Sequence, residues 1–342
     1  MNQAKVAVVT GAGAGAGRAI AHRFGKEGWR VALLARTRSR LEAAKQEIER
    51  AGGQALVLPT DVSDAAAVFA ARDQVLREWG VIDVWVNAAM ATVVGPIVDT
   101  TPDEYRRVTE TTYLGYVHGT LAALEPMRAR NQGAIIQVGS ALAYRAIPLQ
   151  SAYCACKFAI RGFTASLHAE LRHDKSAVTV TMLQMPGMNT PQFDWARNKM
   201  PTKYQPVGDV FDPDVAADAV MKAVATGARE YWVGGSAVQS IVGQMVSPTL
   251  LDAYLAHAAW EPQLSDIPED PNRPDNLVDP VPGDQGARGR FGDRAKRKAL
   301  ILDPAHARIG VGVGAALLAA GAGALALRSR KAAPESGQHD VG

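Results

Sequence analysis

The feature that most constrains the fold is a regular alternation of short apolar runs with amphipathic segments, from residue 5 to about residue 235. The apolar runs are rich in β-branched residues and bounded by turn residues, which predicts strands buried on both faces. They read KVAVVTG, RVALLAR, QALVLPT, DVWVNAA, GAIIQVGS and AVTVTMLQMPG. Helical patterns such as RSRLEAAKQEIERAG separate them. This alternation predicts an α/β fold, a doubly wound parallel sheet between two helical layers, with its ligand crevice beyond the carboxyl ends of the strands.

The same pattern divides the chain into a catalytic domain at 1–245, an extension and linker at 246–300, and a tail at 301–342. Residues 261–292 are rich in Pro, Asp, Gly and Asn, which predicts an extended linker with little core of its own. Residues 309–327 carry no charge. As a helix they would reach ~28 Å, close to the ~30 Å hydrocarbon core of a bilayer. We expect a single transmembrane anchor there; the alternatives are an Ala/Gly-rich helix packed on a partner, or a flexible tail.

Composition narrows the class of partner. The net charge is +3, and the basic residues are spread along the chain until a cluster near 288–298, so the first 280 residues do not predict a nucleic-acid surface. The two cysteines, Cys154 and Cys156, would point apart on a helix, which excludes a mutual disulfide, and two thiols at this spacing form a poor metal site. The N-terminus lacks the long apolar stretch of a secretory signal. We expect a cytoplasmic catalytic domain, a small-molecule substrate and no metal.

A glycine-rich turn ends the first predicted strand, TGAGAGAG at residues 10–17. Glycines at such a turn let the backbone approach a pyrophosphate, and the following helix N-terminus offers it free N–H groups. The alternative is a tight connection without a ligand. The string fits two dinucleotide-binding templates, GxGxxA and TGxxxGxG, the second of which is formed by Thr10, Gly11, Gly15 and Gly17.

The end of the second strand indicates which dinucleotide is preferred. NAD-binding sheets usually carry an acidic residue there, whereas this chain has Ala35 followed by Arg36. An arginine fork binds a 2′-phosphate that a carboxylate would repel, so the sequence favours NADP(H) over NAD(H). Asp61 and Val62 follow the third strand and are assigned to the same site. Asp61 either accepts a hydrogen bond from the adenine amino group or caps the next helix.

Three polar residues, at the end of the fifth predicted strand GAIIQVGS and beyond it, form a candidate catalytic group. Ser140 lies at the carboxyl end of that strand, and Tyr153 and Lys157 follow four residues apart in SAYCACKFAI. A phenol is a poor acid or base at neutral pH, but a neighbouring ammonium favours the phenolate and lowers its pKa. We therefore expect Tyr153 to be a general acid/base that Lys157 activates, with Ser140 hydrogen-bonded to the substrate oxygen.

These motifs resemble the short-chain dehydrogenase/reductase family over about residues 5–235. The resemblance implies a single Rossmann-type domain and a nicotinamide-dependent oxidoreductase, with Lys157 also holding the nicotinamide ribose. It assigns Asn87 of the NAAM segment to the cofactor cleft, and the nicotinamide carboxamide to Pro186, Gly187 and Thr190. Two departures stand out. NAAM replaces the family's NNAG, and TYLG places Thr112 where the family carries a fourth catalytic residue, an asparagine.

The sequence thus predicts hydride transfer between NADP(H) and a carbonyl or secondary alcohol. Phe193, Trp195, Met200 and Tyr204 fall in a predicted lid, where they either line an apolar pocket for a lipophilic substrate or only pack the lid. The alternative function is a catalytically weak NADP(H)-binding sensor or scaffold tethered to a membrane. Helices near 102–130 and 152–172 lie where family members pair, so we also expect a homo-oligomer.

Overall fold

The computed structural model describes residues 4–305. The strands are β1 Val6–Thr10, β2 Arg30–Ala35, β3 Gln54–Pro59, β4 Val84–Asn87, β5 Val93–Val94, β6 Ala134–Val138, β7 Thr179–Gln184, β8 Gly187–Met188, β9 Arg197–Asn198, β10 Thr202–Tyr204, β11 Val210–Phe211, β12 Glu230–Val233, β13 Leu264–Pro268, β14 Ala295–Lys296 and β15 Ile301–Leu302. The helices are α1 Gly15–Lys26, α2 Arg38–Arg50, α3 Ala65–Trp79, α4 Pro102–Thr109, α5 Gly115–Arg130, α6 Ser151–His173, α7 Gln192–Trp195, α8 Asp214–Thr226, α9 Gly235–Val246 and α10 Pro248–Ala258. One turn of π-helix, Glu110–Leu114, joins α4 to α5.

The centre of the molecule is a sheet in the order β15-β12-β7-β6-β4-β1-β2-β3. All of its neighbouring strands pair in parallel except β15, which is antiparallel to β12. The predicted doubly wound sheet is confirmed. The strand order reverses at β1, which pairs with β2 on one side and β4 on the other, so the crevice opens at the carboxyl ends of β1 and β4.

Helices cover both faces of this sheet. On one face Ile20 of α1, Leu41 of α2 and Val220 of α8 are fully or almost fully buried in one core cluster. On the other, Val75 of α3 and Met127 of α5 belong to a second cluster that includes residues of α6. The sheet strands contribute to both clusters, as expected of a three-layer α/β/α fold.

The extension does not form a separate compact body, because residues up to Leu302 belong to one compact unit with the sheet. Leu277 and Val281 are buried, although they lie in the stretch that was expected to be a linker with little core of its own. A second unit begins at Asp303, and only its residues 303–305 are described. Within residues 4–305, none of the helices has the combination of length and apolar composition needed to cross a bilayer. The predicted anchor, 309–327, lies outside the described residues.

Candidate active site

A cavity of about 590 Å³ opens at the carboxyl ends of the strands and contains most of the predicted site residues. The glycine-rich turn lines one part of it. Gly11 and Gly15 have φ of 71° and 58°, a region that glycine adopts without strain. A Cβ on Gly17 would lie 2.4 Å from the carbonyl oxygen of Gly11, so only glycine allows this close approach of helix α1 to the turn. The N-cap of α1 is Ala14, which has no side-chain acceptor for the first N–H groups. The turn therefore suits a pyrophosphate.

Thr10 and Asn87, which the sequence assigns to cofactor binding, hold the wall of the cavity in place without lining it. The Thr10 hydroxyl accepts hydrogen bonds from the backbone N–H groups of Ala88 (3.0 Å) and Ala89 (3.2 Å). The Asn87 side chain is fully buried and donates to the side-chain oxygen of Gln137 at 2.9 Å. Within the described part of the chain, neither side chain lines the cavity, whereas Ala88 and Ala89 do. Thr10 and Asn87 thus fix the segment that forms the cavity wall.

Arg36, Asp61 and Val62 line the same cavity near the glycine turn. The Asp61 carboxylate accepts from Arg107 at 2.7 Å and from the hydroxyl of Ser63 at 2.8 Å. Burial raises the pKa of Asp61, but the hydrogen bonds from Arg107 and Ser63 outweigh it and leave the pKa below its usual value. Asp61 does not cap the next helix: α3 begins at Ala65, and its N-cap is Asp64. The capping interpretation is therefore wrong, the carboxylate binds Arg107 and Ser63, and a contact of Asp61 with the adenine stays a prediction.

Ser140, Tyr153 and Lys157 meet at the other part of the cavity. Ser140 follows β6, and its hydroxyl accepts from the backbone N–H of Leu142 at 3.1 Å and is hydrogen-bonded to the phenol of Tyr153. Tyr153 and Lys157 lie on α6, one helical turn apart. The Lys157 ammonium nitrogen lies 5.4 Å from the centre of the Tyr153 ring. The fold therefore brings the three predicted catalytic side chains together.

The electrostatics of this group differ from the expectation that the ammonium lowers the pKa of the phenol. Burial raises the pKa of Tyr153, and the hydrogen bond from Ser140 lowers it only in part. Burial also lowers the pKa of Lys157 to about 7, so the lysine carries a full charge only below neutral pH. Tyr153 is therefore a protonated phenol at neutral pH, and its raised pKa makes it a weaker acid than an exposed tyrosine.

Sequence reasoning missed Tyr116, which is the side-chain partner of Lys157. The ammonium donates to the Val138 carbonyl at 2.8 Å and to the Tyr116 hydroxyl at 3.2 Å. The Tyr116 hydroxyl donates in turn to the Val138 carbonyl at 2.8 Å. Tyr116 is almost fully buried and lines the cavity. Its position four residues after Thr112 on one helical stretch was the available signal, because residues at that spacing share a face.

Thr112 is not among the described residues that line the cavity. Its hydroxyl accepts from the backbone N–H of Ala91 at 2.9 Å and donates to the carbonyl of the same residue at 2.8 Å. It thus fixes the π-helical turn to the segment after β4. Thr111 lines the cavity instead, and its buried hydroxyl has no hydrogen-bond partner among the described residues. The π-helical turn itself is typical of functional sites.

The loop after β7 completes the wall. Pro186, Gly187 and Thr190 all line the cavity, and Thr190 lies against the glycine turn, where a Cβ on Gly15 would be 3.4 Å from it. The four predicted lid residues separate into two pairs. Phe193 and Trp195 line the cavity, while Met200 and Tyr204 pack with Phe193 in a separate apolar cluster.

Comparison with known proteins decides the family. The profile of the short chain dehydrogenase family matches residues 5–201, more than half of the chain. The chain belongs to this family. The prediction of a dehydrogenase/reductase from the glycine turn and the Ser140, Tyr153 and Lys157 group is confirmed at that level.

Three relatives show the range of the short-chain dehydrogenases that the chain resembles. An uncharacterized oxidoreductase of Bacillus subtilis, YxnA, is 28% identical over 80% of this chain and 78% of its own length. A fatty acyl-CoA reductase of Acinetobacter baylyi is 32% identical over 64% of this chain and 72% of its own. The crystal structure of an alcohol dehydrogenase from the archaeon Thermococcus sibiricus, complexed with 5-hydroxy-NADP, superposes with a TM-score of 0.59 at 26% identity. The superposition covers 67% of this chain and 96% of the Thermococcus chain.

Proposed function

We propose that this protein is an NADP(H)-dependent oxidoreductase that transfers a hydride between nicotinamide and the carbonyl or secondary alcohol of a lipophilic small molecule. One observation carries the proposal. A single cavity contains both the glycine turn with Arg36 and the group formed by Ser140, Tyr153 and Lys157. A dinucleotide bound along this cavity would place its phosphates at one part and its nicotinamide at the other.

The preference for NADP(H) rests on Arg36. Arg36 directly follows the last residue of β2, and it lines the cavity together with Thr37 and Arg40. Ala35 stands where a carboxylate would hold a 2′-hydroxyl. The Thermococcus relative is complexed with an NADP analogue, which agrees with this choice.

In the reductive direction, the residues of the site have separate roles. The bound cofactor supplies the hydride, and the protein supplies a proton and a place for the negative charge that develops on oxygen. Tyr153 holds its proton at neutral pH and donates it as negative charge develops on the substrate oxygen, because an alkoxide is more basic than a phenolate, even one whose pKa burial raises. The hydroxyl of Ser140 binds the same oxygen and shares the developing charge. Lys157, held by the Val138 carbonyl and the Tyr116 hydroxyl, places its nitrogen 5.4 Å from the centre of the Tyr153 ring.

The substrate part of the cavity is mainly apolar. Leu142, Ile147, Phe193 and Val207 line it together with Leu251 and Leu255 of α10. Helix α10 lies beyond the residues that the family profile matches, so Leu251 and Leu255 are a contribution of the extension to this wall. A fatty acyl-CoA reductase among the relatives agrees with a lipophilic substrate.

Oxidation of NADPH by the purified full chain, with a panel of apolar ketones and aldehydes, tests the proposal. We expect turnover that Tyr153→Phe reduces by about 1,000-fold or more, because the proton donor is lost. Tyr231→Phe is the control, since that phenol is also buried and hydrogen-bonded, to Thr226, but does not line the cavity. Turnover that survives Tyr153→Phe would refute the mechanism. NADPH binding without turnover on any substrate would favour a sensor or scaffold instead.

Membrane anchoring and oligomerisation are separate proposals that stand on the sequence. We propose that residues 309–327 tether the protein. Fractionation of the full chain against a chain ending at Ala305, which keeps β15, tests this. If both forms stay in the soluble fraction, the tether is wrong. The mass of the shorter form in solution tests the predicted homo-oligomer.

A further inference from the structure

A segment far outside the region matched by the family profile lies against the residues expected to bind the 2′-phosphate. We name this segment, Asp275–Gly289, the strap. The Arg36 guanidinium donates to two strap carbonyls, those of Asn276 (2.7 Å) and Val278. The guanidinium of Arg40 donates to two more, those of Gly283 (2.7 Å) and Val281.

The strap also bonds to the pyrophosphate and adenine parts of the predicted site. The backbone N–H of Gly15, in the glycine turn, donates to the carbonyl of Gly286 at 3.0 Å. The buried Arg18 of α1 forms an ion pair with Asp284. Arg107, which binds the Asp61 carboxylate, donates to the Leu277 carbonyl at 3.0 Å. Each part of the adenosine end therefore has at least one bond to the strap.

Side-chain packing fixes the strap as well. Leu277 is only 1% exposed and packs in a cluster with Val108 and Cys156, whereas the next residue, Val278, is 53% exposed. The two ends are tied down separately. Asp275 accepts from Arg197 at 2.8 Å, and the N–H of Gly289 donates to the Asn189 carbonyl at 3.1 Å.

We propose that the strap is part of the NADP(H) site, closing over the adenosine end of the cofactor and opening each time the cofactor is exchanged. The inference rests on the proposed function. Asn276 and Pro280 line the same cavity as Arg36 and Asp61, so a cofactor bound there would touch the strap. The guanidinium of Arg36 has five N–H donors, of which the two strap carbonyls take two. The rest are left for a phosphate, so the strap carbonyls orient the arginine without replacing its ligand.

This arrangement predicts a kinetic signature. If the cofactor enters and leaves only through the open strap, both its association and its dissociation depend on the open fraction. A change that loosens the strap without touching the cofactor must then raise both rate constants together. A strap that only added contacts to the bound cofactor would change dissociation alone.

Stopped-flow NADPH fluorescence on the full chain measures both rate constants. We expect Leu277→Ala to raise each by about tenfold or more, because truncating a buried leucine destabilises the closed strap. The matched control is Leu300→Ala, which truncates a leucine that is 59% exposed, lies outside the strap and does not line the cavity; it should leave both rate constants within twofold. Asp284→Asn keeps the side-chain size and weakens the ion pair with Arg18. It is the second variant for loosening the strap if Leu277→Ala does not fold. Hydrogen exchange over 275–289 should also slow when NADP⁺ is added to the wild type.

The outcomes separate the two proposals. Equal rate constants in the wild type, Leu277→Ala and Asp284→Asn, or faster dissociation with unchanged association, would overturn the gate while leaving NADP(H) binding intact. Unchanged hydrogen exchange over the strap on addition of NADP⁺ would also overturn it. A wild type that binds no NADPH would overturn the proposed function, and the strap inference with it.

Discussion

Replacing Lys157 with methionine should make the protein more stable while removing its activity. Lys157 is only 2% exposed, and its ammonium contacts the Val138 carbonyl and the Tyr116 hydroxyl. Methionine has a similar length and leaves no orphaned group, because Tyr116 already donates to that carbonyl at 2.8 Å. The substitution therefore removes a buried charge without opening a large cavity.

The size of the effect follows from the pKa. Burial lowers the pKa of Lys157 from 10.5 to about 7. At 1.36 kcal/mol for each pKa unit, keeping the lysine in this site costs about 5 kcal/mol at low pH. The ammonium also lies 4.7 Å from the centre of the Tyr116 ring and 5.4 Å from that of Tyr153. These cation–π contacts stabilise the charged lysine by about 1–2 kcal/mol. We expect a net gain of about 3 kcal/mol in the free energy of unfolding.

The gain must depend on pH in a defined direction. The pKa of Lys157 is lower in the folded state than in the unfolded chain, so the cost is complete below pH 7 and disappears as the pH rises towards 10.5. Urea unfolding of Lys157→Met and wild type at pH 6.5, 8 and 9.5 measures it. The difference between the two proteins should be largest at pH 6.5 and shrink at each step.

The control is Lys26→Met, an exposed lysine at the end of α1, which should leave the pH dependence of unfolding unchanged. A Lys157→Met protein that is less stable than wild type at pH 6.5 would contradict the argument. So would a gain that stays constant with pH, because it would reflect packing and not a buried charge.

Three further predictions concern the cavity and its support. Tyr116→Phe removes a hydrogen-bond acceptor from the Lys157 ammonium, so it should lower the pKa of that lysine. The alkaline fall of kcat/KM for carbonyl reduction should then move to lower pH by about one unit. An unchanged pH profile would count against this contact. Arg36→Glu should lower the ratio of kcat/KM for NADPH to that for NADH by about 100-fold or more in a steady-state assay, because a carboxylate repels the 2′-phosphate; an unchanged ratio would refute the assignment. Gly119→Ala places a Cβ 2.2 Å from a buried amide oxygen. It should reduce the free energy of unfolding in urea by about 1–3 kcal/mol, whereas Gly162→Ala, another helical glycine with open space around it, should be neutral or slightly stabilising.

The sequence predicted those parts of the fold whose residues carry their own signal. The strands of the central sheet from β1 to β7 were visible as β-branched runs, because strands buried on both faces must be apolar along their whole length. Strand β15 has only two residues, Ile301 and Leu302, and pairs with the edge of the sheet. Such a short run has no period that can be read. The π-helical turn at Glu110–Leu114 was invisible for a similar reason, since one widened turn hardly changes the apolar spacing of a helix.

Within the site, spacing located Tyr153 and Lys157 but not the balance of their charges. Sequence reasoning gave the ammonium a lowering effect on the pKa of the phenol, which assumed that the lysine is fully charged. The fold buries Lys157 and leaves Tyr153 half-buried at the cavity, and desolvation disfavours the charged form of each. Depth of burial depends on the packing of several elements at once, so four residues of spacing could not reveal it.

The strap was missed for a physical reason that bears on how Arg36 should be tested. A stretch rich in Pro, Gly and Asp predicts that no helix or strand forms, but it does not predict that nothing binds there. The strap is held largely through backbone carbonyls, and every residue carries one, so no sequence pattern marks them. Arg36 binds the strap, and in the proposed complex it would also bind the 2′-phosphate. The loss of NADPH affinity in Arg36→Glu will contain a contribution from a loosened strap, and Leu277→Ala, which leaves the arginine in place, measures that contribution by itself.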